Sequence, residues 1–124
     1  MTPPRLKGRT FRAMSNSAHG QSGSATEMQF TDDDDDYVTA TYAGGGVRLG
    51  QVLAKRTVDD ALDMHYHAGS TSGEIRAGHG RATFAADRQG KMRMFIEWQW
   101  LTGDHSPGHS EWIEVWPGTD EPAD

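Results

Sequence analysis

The sequence predicts an all-β protein whose strands form one closed, eight-stranded, antiparallel up-and-down barrel. Three observations lead to this prediction. No apolar pattern with helical spacing lasts for three turns, so helix should be scarce. Short β-rich runs recur instead, each followed by Gly, Asn, Asp or Ser. The connections between these runs have hairpin length, which leaves no room for the crossovers that parallel strands require.

Eight runs of the chain are predicted as strands. They are residues 9–15, 26–31, 37–43, 47–56, 61–68, 73–86, 91–101 and 109–116. A meander of eight strands can hide its edges by closing, and its interior is then just large enough for side chains or one small ligand. The alternative is an open half-barrel that completes itself by dimerisation, so the sequence leaves a homodimer open.

The chain of 124 residues is expected to hold a single domain. Residues 9–116 would form the barrel, between a flexible N-terminal tail over residues 1–8 and a flexible C-terminal tail over residues 117–124. Both tails are rich in Pro, charge and small residues. The hydrophobic fraction of 35% suits the thin core of a small barrel.

The charge balance limits the partners that the protein can have. Twelve Lys and Arg against 18 Asp and Glu give a formal net charge of −6. Such a chain repels phosphate backbones and anionic headgroups, so neither nucleic acid nor a membrane is an expected partner. The N-terminus lacks the apolar run of a cleavable signal, and there is no Cys. We therefore expect a cytoplasmic protein, and the bias toward Gly, Ala, Arg and Asp indicates a GC-rich bacterial source.

Alternation along each strand predicts which side chains line the lumen. The eighth strand stays open, because Trp112 and Trp116 oppose Ile113 and Val115. The residues expected to face inward on the third, fifth and seventh strands are Val38, Ala40, Tyr42, Leu62, Met64, Tyr66, Met94, Ile96, Trp98 and Trp100.

The sixth strand carries a charge in the lumen if its even positions face inward, an orientation that the sequence alone leaves open. Its even positions are otherwise mostly small, which suits a crowded or ligand-filled interior, and they begin with Arg76. A buried guanidinium needs a carboxylate partner, an anionic ligand or water. Arg76 is therefore the most informative polar residue in the chain.

An aromatic and thioether wall is the candidate ligand site. Indole combines a large contact area with a polar N–H, so the wall suits a small, largely apolar ligand or substrate. The alternative is that these side chains only fill the barrel. No catalytic residue can be assigned, and no cofactor or metal is expected. The candidate ligand-binding residues are Tyr42, Met64, Tyr66, Arg76, Met94, Trp98 and Trp100.

The histidines offer a weaker hypothesis. His65 and His67 share one strand face with Cβ atoms roughly 7 Å apart, which would allow one metal ion with a third ligand from Asp63 or His79. The alternation places these rings toward solvent, so the alternative is a pair of solvated surface histidines.

Three turn segments are explained by turn chemistry. His105 and His109 flank a turn near Asp104, where a histidine could act as a general base, but the Gly and Pro residues there are typical of a turn alone. "DDDDD", residues 32–36, lacks the spacing of a calcium loop and is expected to be a solvated hairpin turn. "YAGGGVRLG" has no following helix, which indicates a turn or bulge and not a nucleotide loop.

Two resemblances add to these inferences. "ATYAGGGVRLGQVLAK", "LDMHYH" and "WQWLTGDHSPG" resemble a family of small bacterial proteins that usually carry the label N-acetylglutamate synthase. That resemblance implies a barrel without an established activity. The chain shows no phosphate-cradling Gly-rich turn of an acyl-CoA transferase. It also departs from the family pattern, which has Arg and Gln at His65 and His67 and a polar residue at Ile96.

"EWQWLTGD", followed by a Trp-bearing strand, is similar to the seventh and eighth strands of the avidin and streptavidin barrels. The resemblance implies a calycin or avidin-like barrel with an aromatic wall at its mouth, and Trp98 as a residue that lines the cavity. Biotin binding is not implied.

The favoured function is thus binding of a small, largely apolar ligand in the lumen. The alternatives are a cofactor-independent cyclase or isomerase of bacterial secondary metabolism and a structural role without a ligand.

Overall fold

A computed structural model describes residues 5–16, 26–57, 61–102, 105 and 107–115. The described part of the chain contains eight strands and no helix. The strands β1 to β8 are, in order, Thr10–Asn16, Glu27–Asp33, Tyr37–Gly44, Val47–Arg56, Leu62–Ser70, Ile75–Ala86, Met92–Trp100 and Pro107–Val115.

The strands form one closed antiparallel barrel. Each strand pairs with the next in the chain, and β8 returns to pair with β1, where Thr10 lies opposite Val115. The prediction of an eight-stranded up-and-down barrel is confirmed, and the open half-barrel is wrong because β1 and β8 pair within one chain. No segment of the described ranges is a long apolar helix of the kind that spans a membrane.

The interior of the barrel holds the residues that alternation predicts. Val38, Leu62 and Met64 are at most 1% exposed, whereas His65 and His67 lie on the outer face. The open question of β8 is answered by Trp112, which is 3% exposed and donates its indole N–H to Ser110 Oγ at 2.9 Å. Trp116 lies outside the described residues.

The two ends of the barrel differ. We call the end that carries the β3–β4, β5–β6 and β7–β8 connections the mouth, and the opposite end the base. Leu6 closes the base: its side chain is fully buried, and its N–H donates to Asp33 Oδ2 at 2.7 Å. Residues 5–8 therefore belong to the barrel domain, which corrects the expected tail over residues 1–8 for that part.

Buried ion pairs also occupy the base. A shift of register between Phe30 and Asp32 turns Asp33 inward, where its carboxylate pairs with Arg56. Asp34 behaves as expected of a turn residue, since its exposed carboxylate accepts the N–H of Tyr37 at 2.7 Å. The expectation that all five aspartates are solvated is thus wrong for Asp33, because the bulge reverses the direction of its side chain.

Candidate functional site

Four aromatic rings line the mouth half of the lumen. Tyr66 lies between two of them, with ring centroids 6.5 Å from Tyr42 and 5.9 Å from Trp100, both in edge-to-face arrangements. Trp98 continues the wall, 5.6 Å from Trp100. Edge-to-face contacts of this kind orient the rings as well as bury them. The structure thus brings together four of the predicted ligand-binding residues.

Two glycines allow the tyrosine rings to lie along the barrel wall. A Cβ atom on Gly50 would lie 2.5 Å from the ring of Tyr42, its partner across β3 and β4. One on Gly78 would lie 2.9 Å from the ring of Tyr66, its partner across β5 and β6. Each ring therefore covers the backbone of the next strand instead of crossing the bore. The role of these two glycines in positioning the tyrosine rings cannot be recognised from the sequence, because it depends on which residues pair across the strands.

Arg76 faces the lumen at the mouth, which answers a question that the sequence left open. Its guanidinium carbon lies 3.9 Å from the centroid of the Trp100 ring, a stacked cation–π contact. The side chain is half-buried, as is that of Tyr66. Solvent therefore reaches two residues whose strand positions face the lumen near the mouth.

Several polar groups in this wall lack a protein partner. Tyr42 is 7% exposed and Trp98 is 8% exposed. Within the described part of the chain, neither the Tyr42 hydroxyl nor the Trp98 indole N–H makes a hydrogen bond, and the same holds for the Tyr66 hydroxyl. Buried polar groups without a partner are costly, so each of them marks a position where water or a ligand atom belongs.

The tyrosine hydroxyls keep their protons. Burial raises the pKa of Tyr42 well above the usual tyrosine value. Burial also raises that of Tyr66, helped by the nearby Tyr42 hydroxyl and opposed by the positive charge of Arg76. Both groups therefore remain neutral at physiological pH and can donate a hydrogen bond.

The two methionines of the predicted site lie deeper. Met64 is 1% exposed and pairs across the sheet with Gly80, below the ring of Tyr66. Met94 is fully buried, and it stands four residues before Trp98, about 13 Å lower along the strand. Met94 lies opposite Trp112 and is part of the core toward the base, so the structure does not bring it to the mouth.

The histidines lie outside the lumen. His65 stacks on His79 across β5 and β6, with ring centroids 5.9 Å apart and ring planes at 27°. Among the described residues, no three His, Asp or Glu side chains are arranged to hold a metal ion. The hypothesis of a metal shared by His65 and His67 has no support in this geometry.

The rim histidines are exposed as well. His105 has a positive φ of 60°, and its carbonyl accepts the side-chain N–H of Gln99 at 3.2 Å. His109 is exposed on β8. Asp104, the carboxylate expected beside them, lies outside the described residues, so the hypothesis of a general base there stays untested.

The fold and its lumen define the class of closed, eight-stranded up-and-down β-barrels. Residues 4–115 match the model of a family described as Avidin-like protein. The match covers most of the chain, so the protein belongs to the avidin-like family. Neither the curated proteins nor the solved structures contain a significant match to the chain.

Proposed function

We propose that the protein binds a small, largely apolar ligand in the mouth half of its lumen, against Tyr42, Tyr66, Trp98 and Trp100. The observation that supports the proposal is the combination of an inward-facing aromatic wall with buried polar groups that have no hydrogen-bond partner among the described residues. A barrel filled only by its own side chains would leave no reason for those donors to stay unpaired. Membership of the avidin-like family supports the proposal, since closed barrels of this size can hold one small ligand.

The alternative functions of the sequence analysis stay predictions. In the mouth half of the lumen, the described residues of the wall include two tyrosines whose burial raises the pKa of their hydroxyls. These groups suit hydrogen bonding better than proton transfer near neutral pH. The cyclase or isomerase activity, the likeness to proteins labelled N-acetylglutamate synthase and the cytoplasmic location remain to be tested.

The test of the proposal is a binding screen. Purified protein is examined by native mass spectrometry for a carried ligand and is then titrated with small aromatic compounds while its tryptophan fluorescence is followed. We expect quenching that saturates. Trp98→Leu should weaken the binding by about tenfold or more, because it removes much of the buried contact area.

The matched control is Phe95→Leu. Phe95 lies on the outer face of the same strand and is 38% exposed, so its replacement should leave binding unchanged. Thermal unfolding of each variant shows whether the barrel is intact. The proposal fails if no compound binds the wild-type barrel, or if Phe95→Leu and Trp98→Leu weaken binding equally.

A further inference from the structure

Four described side chains of the aromatic wall carry polar groups that can donate hydrogen bonds and that have no hydrogen-bond partner among the described residues. They are the guanidinium of Arg76, the hydroxyls of Tyr42 and Tyr66, and the indole N–H of Trp98. The guanidinium and the indole are donors only. A ligand that satisfies this set must therefore supply hydrogen-bond acceptors.

Three of these donors converge on one side of the lumen. Arg76 stacks on Trp100, and the ring of Trp100 contacts that of Tyr66. The ring of Tyr66 also lies 6.5 Å from that of Tyr42. An anionic group beside the ring of Tyr66 would therefore have Tyr42 on one side and the Trp100–Arg76 stack on the other.

Arg76 has no acidic partner among the described residues, in contrast to three other partly or fully buried arginines of the barrel. Arg9 pairs with Glu114 at 2.7 Å, and Arg93 pairs with Glu111 at 2.6 Å. Arg56 pairs with the buried Asp33. Within the described ranges, no carboxylate lies at ion-pair distance from Arg76. In a chain with 18 acidic residues, the half-buried Arg76 is thus held on an indole face with its N–H groups open to a ligand.

The site favours a carboxylate over a phosphate. The planar fork of a guanidinium matches the two oxygens of a carboxylate, and stacking on Trp100 fixes the orientation of that fork. The net charge of −6 repels a phosphate dianion more strongly than a monoanion. The rings of Trp98 and Trp100 beside the fork suit a flat, aromatic body.

We infer that the ligand of the lumen is an aromatic carboxylic acid, bound as its anion with the carboxylate between Arg76 and the hydroxyls of Tyr66 and Tyr42. The inference rests on the proposed function and adds to it the chemical class of the ligand.

The experiment compares two probes of the same shape, naphthylacetate and its neutral amide naphthylacetamide, by isothermal titration calorimetry. The wild-type protein should bind the acid about tenfold or more tightly than the amide, because hydrogen bonds to a charged group are the stronger ones. Arg76→Gln keeps the length and the polarity of the side chain but removes its charge, and it should abolish that preference. Tyr66→Phe should weaken the binding of the acid more than the binding of the amide.

The matched control is Arg48→Gln. Arg48 is exposed at the start of β4, at the same end of the barrel, so its replacement changes the net charge equally without touching the lumen. It should preserve the preference for the acid. If the wild-type protein binds acid and amide equally, or if Arg76→Gln keeps the preference, the carboxylate inference is overturned while the proposed function stands. If neither probe nor any compound of the binding screen binds, both are overturned.

Discussion

Gly50 shows how a single absent side chain positions a ring of the site. Alanine at this position would place a Cβ atom 2.5 Å from the ring of Tyr42. The ring is buried, so it cannot move away without disturbing its neighbours. Glycine in the middle of a strand is otherwise unfavourable, and its presence here reflects the close approach of that ring.

Gly50→Ala should therefore lower the free energy of unfolding by about 1–3 kcal/mol, the usual cost of overpacking. The measurement is urea denaturation. Gly69→Ala is the control, since a Cβ atom there meets nothing within 4 Å. In a Tyr42→Leu background the cost of Gly50→Ala should shrink. A cost that is the same in both backgrounds would show that the ring is not the cause.

Asp33 is a residue whose direction depends on a bulge. Its carboxylate is fully buried beside Arg56, and it accepts the N–H of Leu6 at 2.7 Å. Burial alone would raise the pKa of Asp33, but the hydrogen bonds from Leu6, Arg56 and Asp35 and the positive charge of Arg56 lower it below the ordinary value. The ionised carboxylate is therefore part of the folded state.

Asp33→Asn should lower the free energy of unfolding by about 3–5 kcal/mol at neutral pH, because it leaves Arg56 with a neutral partner in a buried place. Since the pKa of the carboxyl is lower in the folded state, the stabilisation is fully present above the unfolded value of about 3.9 and is lost as the pH falls through the folded value. The difference in the free energy of unfolding between the wild type and Asp33→Asn should therefore become smaller below about pH 4. Asp32→Asn, at a side chain that is 75% exposed, serves as the control and should change little. A difference that does not vary with pH would contradict this account.

The lumenal residues show how far single positions could be predicted. Tyr66 and Trp98 follow from strict alternation, because a shift by one residue would place the apolar set of each strand in water, whereas the mostly small residues of the sixth strand left the orientation of Arg76 open. Asp33 could not be found in this way, since the bulge after Phe30 changes the phase within the strand. The unpaired state of Arg76 also could not be predicted, as it depends on which acidic residues come near it in space.

The strand elements were predictable because their connections are short. The eighth strand begins at Pro107, before the expected start at His109, and Pro is tolerated there as the first residue of a strand. The segment at residues 5–8 was not predictable, since "RLKG" has the composition of a tail and only Leu6 can be buried. The burial of Leu6 is joined by two hydrogen bonds, from the N–H of Leu6 to Asp33 and from the N–H of Gly8 to the carbonyl of Phe30.

The packing of residues 5–8 against the base can be tested through Leu6. Leu6→Ala should cost about 2–5 kcal/mol in the free energy of unfolding, because it leaves a cavity at the base. Leu53→Ala is the matched control: Leu53 is 54% exposed on the outer face, and its truncation should change stability by no more than about 0.5 kcal/mol. Differential scanning calorimetry compares the two. Equal effects would mean that Leu6 contributes no more than a surface leucine.

At the scale of the whole molecule, the closure of the barrel is harder to predict from local sequence patterns than the individual strands are. Hairpin-length connections predict the pairs from β1–β2 to β7–β8, whereas the pairing of β1 with β8 joins residues from opposite ends of the chain. Closure is expected because a closed sheet has no exposed edge. The structure confirms it, and the two ends of the barrel domain are adjacent as a result.

A circular permutant tests that adjacency. The natural ends are joined by a Gly/Ser linker, and new ends are opened between Arg88 and Gln89, in the exposed turn between β6 and β7 at the base. The permutant should fold to the same far-UV circular dichroism spectrum and bind the same ligands, because exposed turns tolerate new ends. A permutant that is unfolded or fails to bind would contradict the placement of the ends or of the site.

The side chain of Leu6 fills the base of the barrel, so a ligand is expected to enter the lumen from the mouth. Arg76 and Trp100 lie at the mouth, so a ligand whose carboxylate is held by Arg76 would lie with its aromatic body directed into the lumen. Substitutions of Arg76 should therefore change the dissociation rate constant of the ligand more than its association rate constant.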